Sequence, residues 1–169
     1  PIYTGSGKLM LEPAFEEFFA LELDDEEFIL DRGAYWASDM SVDVDMKVNK
    51  IGTTIFSGEG LLQTSVKGTG TVIIRSPGPV EVIELRNDRL VVDGSFAVAR
   101  SASLDFSVRQ STRSMVGMVT SGELLVSVLQ GTGTVYLAPI PSPTLLLQNV
   151  ILSSMAGMFA EFRNTPQPR

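Results

Sequence analysis

Through most of residues 1–140, short apolar runs are separated by glycine, proline, asparagine or aspartate, and several runs alternate apolar and polar side chains. That period of two is the mark of half-buried β-strands. It predicts strands over 8–12, 19–23, 28–31, 41–48, 61–66, 71–75, 80–85, 89–92, 103–108, 123–129 and 134–137. In the clearest case Val42, Val44, Met46 and Val48 face one way while Asp43, Asp45 and Lys47 face the other. Asn87-Asp88 and Ser76-Pro77-Gly78-Pro79 are tight-turn signals. The acidic pairs and runs Glu16-Glu17 and Asp24-Asp25-Glu26-Glu27 read as solvated turn charges. The pattern changes near the C-terminus. Leu147, Val150, Ile151, Met155, Met158, Phe159 and Phe162 recur at helical spacing, with Pro143-Thr144 before them and Pro166 and Pro168 after. This predicts a short helix over 147–162, packed on the sheet or on a neighbouring subunit.

A nine-residue pattern orders these strands. Gly5-Ser6-Gly7-Lys8-Leu9-Met10-Leu11-Glu12-Pro13, Gly68-Thr69-Gly70-Thr71-Val72-Ile73-Ile74-Arg75-Ser76 and Gly131-Thr132-Gly133-Thr134-Val135-Tyr136-Leu137-Ala138-Pro139 begin 63 residues apart. Other segments follow the same spacing within a residue. Leu21-Glu22-Leu23 matches Ile83-Glu84-Leu85, Val42-Asp43-Val44 matches Leu104-Asp105-Phe106, and Ser57-Gly58-Glu59 matches Ser121-Gly122-Glu123. A fixed period of this length signals a repeated structural unit. The expected organisation is one domain over 1–169, with units at about 5–67 and 68–130 and a partial third at 131–169. The chain opens in phase with the Gly-x-Gly element and without methionine, so residue 1 is not expected to be the native N-terminus.

Composition narrows the chemistry. An apolar fraction of 44% excludes a disordered chain. The sequence has no cysteine and no histidine, which removes disulfides, thiolate chemistry, the commonest metal ligand and the commonest general base. Of the net charge of −7, residues 1–45 carry 12 acidic and 2 basic side chains, and the remainder 8 and 11. The chain as a whole offers no positive surface for nucleic acid. No signal peptide or transmembrane span is visible.

Each candidate motif has a plain structural explanation beside its functional one. Gly5, Gly7, Gly68, Gly70, Gly131 and Gly133 would suit a phosphate loop only if helices followed. β-like runs follow instead, so these glycines read as close backbone approaches or bulges leading into strands. Asp39, Asp43 and Asp45 are too few for calcium without a shaped loop, and read as a solvated face. Glu59 and Glu123 are equivalent by spacing rather than paired for acid–base work. Ser57 and Ser121 have no histidine to activate them. Tyr35 and Trp36, matching roughly Ser95 and Phe96, are candidates to line a ligand pocket, or else to sit in the core or a subunit contact.

With the Gly-x-Gly pattern, the segment Asp31-Arg32-Gly33-Ala34-Tyr35-Trp36-Ala37-Ser38 and the segment Phe56-Ser57-Gly58-Glu59-Gly60-Leu61, the chain resembles the mitochondrial-biogenesis AIM twenty-four (altered inheritance of mitochondria) family as far as about Pro141. The resemblance implies a fold like that of the tryptophan RNA-binding attenuation protein, abbreviated TRAP. That is an all-β double-stranded β-helix or β-sandwich of tandem repeats, assembling into rings or trimers. Most members have no assigned activity, and the fungal namesake is an inner-membrane mitochondrial protein. Ser121-Gly122-Glu123-Leu124 lacks the glycine that follows at Gly60. RNA and tryptophan binding do not carry over, since no matching motif is present.

The expected protein is therefore all-β, TRAP-like, with a short C-terminal helix. It is expected to act as a non-enzymatic homo-oligomeric scaffold or interaction protein, trimeric or ring-shaped. A small-molecule-binding module near Tyr35 and Trp36 is the alternative. No cofactor, metal or nucleic-acid partner is expected, and a membrane surface or a second protein is the open possibility for a partner. A cupin-like metal enzyme is disfavoured by the missing histidines. The expected location is intracellular, cytoplasmic for a prokaryotic source and mitochondrial for a fungal one.

Overall fold

The computed structural model describes residues 1–12, 14–49, 61–93, 96–110, 125–140 and 142–164. Among the described residues eight strands precede one helix: β1 (Glu17–Leu30), β2 (Tyr35–Ser38), β3 (Val42–Asn49), β4 (Leu61–Ser76), β5 (Glu81–Asp93), β6 (Ala97–Ser101), β7 (Asp105–Gln110), β8 (Leu125–Leu137) and α1 (Pro143–Asn164). The strands form one antiparallel sheet in the order β2-β4-β1-β6-β8-β5, with β3 also on β4 and β7 also on β8. The fold is all-β with a C-terminal helix.

Four strands are longer than the alternation predicts. The runs 19–23 and 28–31 are one strand, β1, and 61–66 and 71–75 are one strand, β4. Likewise 80–85 and 89–92 are one strand, β5, and the run ending at 129 continues into 134–137 as β8. β1 passes the acidic run by a bulge, the register shifting between Asp24 and Glu26 while Asp25 takes φ 54°. The same irregularity recurs in β5, between Leu85 and Asp88, with Asn87 at φ 51°. Aspartate and asparagine tolerate this left-handed backbone because their short side chains bond locally. Opposite each bulge lies a Gly-Thr-Gly. Asp25 N donates to Thr69 Oγ1 (3.0 Å), and Asn87 N donates to Thr132 Oγ1 (2.9 Å).

Glycine is required at this point by contact as well as by conformation. Gly68 has φ +131°, and a Cβ there would lie 2.7 Å from the backbone oxygen of Ser41. The Gly-x-Gly elements thus lie inside β4 and β8. The third copy behaves differently. Gly5 and Gly7 hold φ values of 132° and 157°, close to the 126° and 159° of Gly131 and Gly133, yet residues 1–12 are exposed and form no strand. The run 8–12, expected as a strand, has no neighbouring strand among the described residues to take its backbone hydrogen bonds.

Two groups of strands share one pairing scheme. Val44 pairs with Val66 as Phe106 pairs with Leu129, and Ser38 pairs with Val72 as Arg100 pairs with Val135. The groups meet where β1 runs against β6, through Phe28↔Ser101, Ile29↔Arg100 and Leu30↔Ala99. The buried apolar residues fall into two clusters. One holds Leu21, Leu23, Phe28, Leu30, Val42, Val66, Val72 and Ile74 together with Val98 and Ala99; the other holds Leu85, Val92, Leu104, Leu129, Val135 and Leu137. Tyr136 packs against the first cluster and stacks on Phe19 at 5.4 Å.

The helix begins four residues earlier than its apolar spacing suggests. Pro143 is its first residue, where the missing N–H costs nothing. Ser142, fully buried, anchors that end: its N–H donates to the Pro77 carbonyl (2.8 Å), and Leu146 N donates to Ser142 O (3.1 Å). Beyond this turn the described apolar side chains as far as Met155 stay largely in the open. Leu146, Leu147, Val150, Ile151, Leu152 and Met155 are each 44–60% exposed.

Candidate functional site

The short strand β2 places the two aromatic residues, and it separates them. Its register on β4 shifts between Tyr35 and Ala37, so Trp36 is the bulged residue. Tyr35 packs against the first core cluster, and its hydroxyl lies 3.1 Å from Ser38 Oγ. Trp36 points elsewhere. It meets Phe18 edge-on at 5.3 Å, and the Arg75 guanidinium sits 5.4 Å from its ring centre. By register Trp36 matches Val98 rather than Phe96, since Tyr35 opposes Ile74 as Ala97 opposes Leu137.

Arg75 organises the surroundings. Its Nε and Nη2 both donate to the Gly33 carbonyl, at 3.2 and 2.8 Å, and Nη1 lies 3.5 Å from Glu16 Oε2. Gly33 can offer that carbonyl because the turn closed by Ala34 N donating to Asp31 O (3.1 Å) puts it at φ 80°. Beside this cluster is a notch of about 200 Å³ bounded by Glu16, Asp31, Arg32, Arg75, Ser76 and Val98, among others. Burial pushes the Asp31 carboxyl above its ordinary value, against a hydrogen bond from the Arg32 backbone that lowers it. Neither Tyr35 nor Trp36 lines the notch. Its volume falls below the roughly 300–1,000 Å³ of sites that enclose a small molecule.

A second unusual group lies at the β1–β6 junction. Arg100 is 94% buried, with its Nη2 donating to Gln63 Oε1 (3.1 Å) and its guanidinium 4.6 Å from the Phe106 ring centre. Among the described residues its Nε has no partner, and burial pulls its pKa down to about 10. Both arginines break the 62- and 63-residue correspondence: Ser38 stands where Arg100 would be, and Ala138 where Arg75 would be. Alignment of the two halves for such mismatches is the sequence signal that would have singled them out.

The remaining candidates fall into place as structural groups. Asp39 Oδ2 accepts from Thr71 N (2.9 Å), and Ser101 Oγ does the same for Thr134 N (2.9 Å). The hydroxyls of Thr71 and Thr134 donate to Glu22 and Glu84, each at 3.0 Å. Asp43 and Asp45 pair with Lys67 and Ser65 across β3 and β4. Among the described residues, no three or more acidic side chains are grouped to hold a metal ion. Ser57, Glu59, Ser121 and Glu123 lie outside the described residues.

Residues 2–140 match the family model described as Mitochondrial biogenesis AIM24. The chain belongs to the AIM24 family. An uncharacterized protein of Streptococcus pyogenes serotype M6 is 32% identical over 163 residues, covering 95% of this AIM24 chain and 61% of that protein. A crystal structure of another Streptococcus pyogenes protein, a Northeast Structural Genomics Consortium target, superposes with a TM-score of 0.62 at 25% identity. That match covers 86% of this chain and 60% of the other. The AIM24 chain therefore spans about three fifths of the length of these relatives, both of which are bacterial. Among the described residues no helix is long and apolar enough to cross a membrane.

Proposed function

We propose that this chain is a non-enzymatic scaffold or interaction module that works as a homo-oligomer, a trimer or ring, with its two strand groups as tandem TRAP-like units of double-stranded β-helix type. The observation that carries the reading is α1. Six large apolar side chains along three turns are about half exposed, whereas an amphipathic helix normally hides such a stripe. An apolar patch of that kind marks a contact surface. The test is native mass by light scattering, with and without residues 145–169. A defined oligomer that falls apart on truncation supports the reading. A monomer at micromolar concentration in both forms overturns it.

The alternative, a small-ligand module, draws on the notch at Asp31 and Arg75 and on the single Trp36 stacked beside it. Its size suits a group of a few heavy atoms, such as a carboxylate or an amine. Quenching of Trp36 emission on titration with acetate or methylammonium, lost in Arg75→Ala, would favour it. Unchanged emission across both would exclude it.

A further inference from the structure

The contact inside the molecule shows how one molecule can meet the next. At the internal junction β1 and β6 run antiparallel. Asp31 N donates to Val98 O, and Ala102 N donates to Glu27 O, both at 2.9 Å. Contact there buries Phe28 to 4% exposure, Ile29 to 6% and Val98 to 2%. By the common pairing scheme, β5 corresponds to β1 with an offset of 62, and β2 corresponds to β6 with the same offset. These two strands end the sheet. Each end thus carries one half of a junction whose other half is found at the opposite end.

The side chains at the two ends fit this purpose. Leu90, Val91 and Val92 occupy the places of Phe28, Ile29 and Leu30, and Trp36 occupies the place of Val98. Val91 is 49% exposed where Ile29 is 6% exposed. The facing stretch Tyr35-Trp36-Ala37-Ser38 carries no charge. An edge meant to stay free is normally guarded by charge, proline or a bulge. Charge and proline are absent from 90–92 and from 35–38, although β5 is charged at Arg86, Asp88 and Arg89. The bulge at Trp36 has its counterpart at Val98, where it does not keep β6 from pairing with β1.

We propose that β5 of one molecule pairs antiparallel with β2 of a second copy, setting Leu90, Val91 and Val92 against Asp39, Ser38 and Ala37 and reproducing the β1–β6 junction between chains. The proposal rests on the homo-oligomer reading and names the surface and register. The contact is head-to-tail, so it closes into a ring or continues as an open array according to the rotation between the two halves. The backbone ladder supplies the attachment, and the apolar side chains supply the register.

The absence of cysteine makes the register directly testable. Leu30 and Ala99 lie between hydrogen-bonded rungs of the junction, where opposed Cα atoms are about 4.5 Å apart, a separation a disulfide can bridge. Their counterparts are Val92 and Ala37. Val92→Cys and Ala37→Cys proteins, mixed and oxidised, should yield a crossed dimer at about tenfold or more over either protein alone, because only the mixed pair is held at high effective concentration. Val91→Lys should lower the native mass while leaving the far-ultraviolet circular dichroism unchanged, since Val91 is half exposed in the single chain. An oligomer that gives no crossed disulfide, with native mass unmoved by Val91→Lys, overturns the edge pairing and leaves self-association standing. A monomeric parent protein overturns both.

Discussion

Replacing Gly68 by alanine should be among the most damaging single-methyl changes available in this chain. The added Cβ would sit 2.7 Å from Ser41 O. Ordinary van der Waals contact begins at 3.4 Å, so backbone must separate by roughly 0.7 Å. Neither side yields readily. Gly68 is paired with Val42 on one edge and Glu26 on the other, and Val42 N is held by Asp39 O at 3.1 Å. A backbone at φ +131° adds about 1–3 kcal/mol of strain for an L-residue, and forced overpacking adds about 1–3 kcal/mol more. Two companions separate these contributions. At Gly131 the φ is +126° but the nearest atom to a new Cβ is Leu104 Cδ2 at 3.6 Å, so Gly131→Ala should show the strain alone, about 1–3 kcal/mol. At Gly5 nothing lies within 4 Å and no ladder fixes the backbone, so Gly5→Ala should stay within about 0.5 kcal/mol. Urea unfolding followed by Trp36 fluorescence and circular dichroism gives the three midpoints. With a slope of about 1–3 kcal/mol per molar, Gly68→Ala should unfold at least about 0.5 M earlier than Gly5→Ala. Equal midpoints for the two would refute the argument that the Gly-Thr-Gly element is a close strand crossing.

Other substitutions probe the charged groups. Burial raises the Asp31 carboxyl above 3.8, so its favourable neutral form contributes fully below that value and the contribution is lost as pH rises through the raised pKa; Asp31→Asn should therefore stabilise the protein at neutral pH, with the gain vanishing in scans below about pH 3.8. Glu27 runs the other way. Hydrogen bonds from Lys47 and Ser65 hold its carboxyl below 4.5, so its contribution is present above 4.5 and lost as pH falls through the lowered pKa, and Glu27→Gln should cost under about 1 kcal/mol at pH 7 because the pair is partly solvated. Arg100 stays charged at neutral pH with its pKa pulled down to about 10, and among the described residues no carboxylate forms an ion pair with its buried guanidinium. Arg100→Met should match or exceed the parent midpoint between pH 5 and 9, as replacement of a buried charge by an apolar group of similar volume often does; a loss of several kcal/mol would show that the Gln63 and Phe106 contacts outweigh desolvation.

Local pattern carried the strands and left their joins unread. The alternation at Val42, Val44 and Met46 shows β3 directly, because a strand with one face to water writes period two into its own residues. The Gly68-Thr69-Gly70 element looks like a break in that code. Its use as mid-strand backbone depends on Ser41 and Asp25, 27 and 44 residues away from Gly68 and Thr69, which no local window contains. The helix was legible from Leu147, Val150 and Ile151, while its start at Pro143 depends on Ser142 reaching Pro77. At the candidate site Trp36 stood out by type alone. Its partners Phe18 and Arg75 come from β1 and β4, and only the sheet register brings them together. Arg100 gives no sign of burial in sequence, since its surroundings are assembled from Gln63 and Phe106 on two other strands.

The nesting of strands about β4 has a consequence for how the chain is made. Asn49 pairs with Leu61, a short closure, whereas Glu17 pairs with Ser76, 59 residues later. β1, β2 and β3 all take their long pairing from β4, the last of the four to be synthesised. At about 5–20 residues per second on the ribosome, the start of β1 therefore waits roughly 3–12 s for its partner. During that interval the apolar face of Leu21, Leu23, Phe28 and Leu30 lacks its β4 partner. The acidic residues between them, Glu22 and Asp24 to Glu27, are then the groups that keep the waiting strand soluble and out of the wrong pairing.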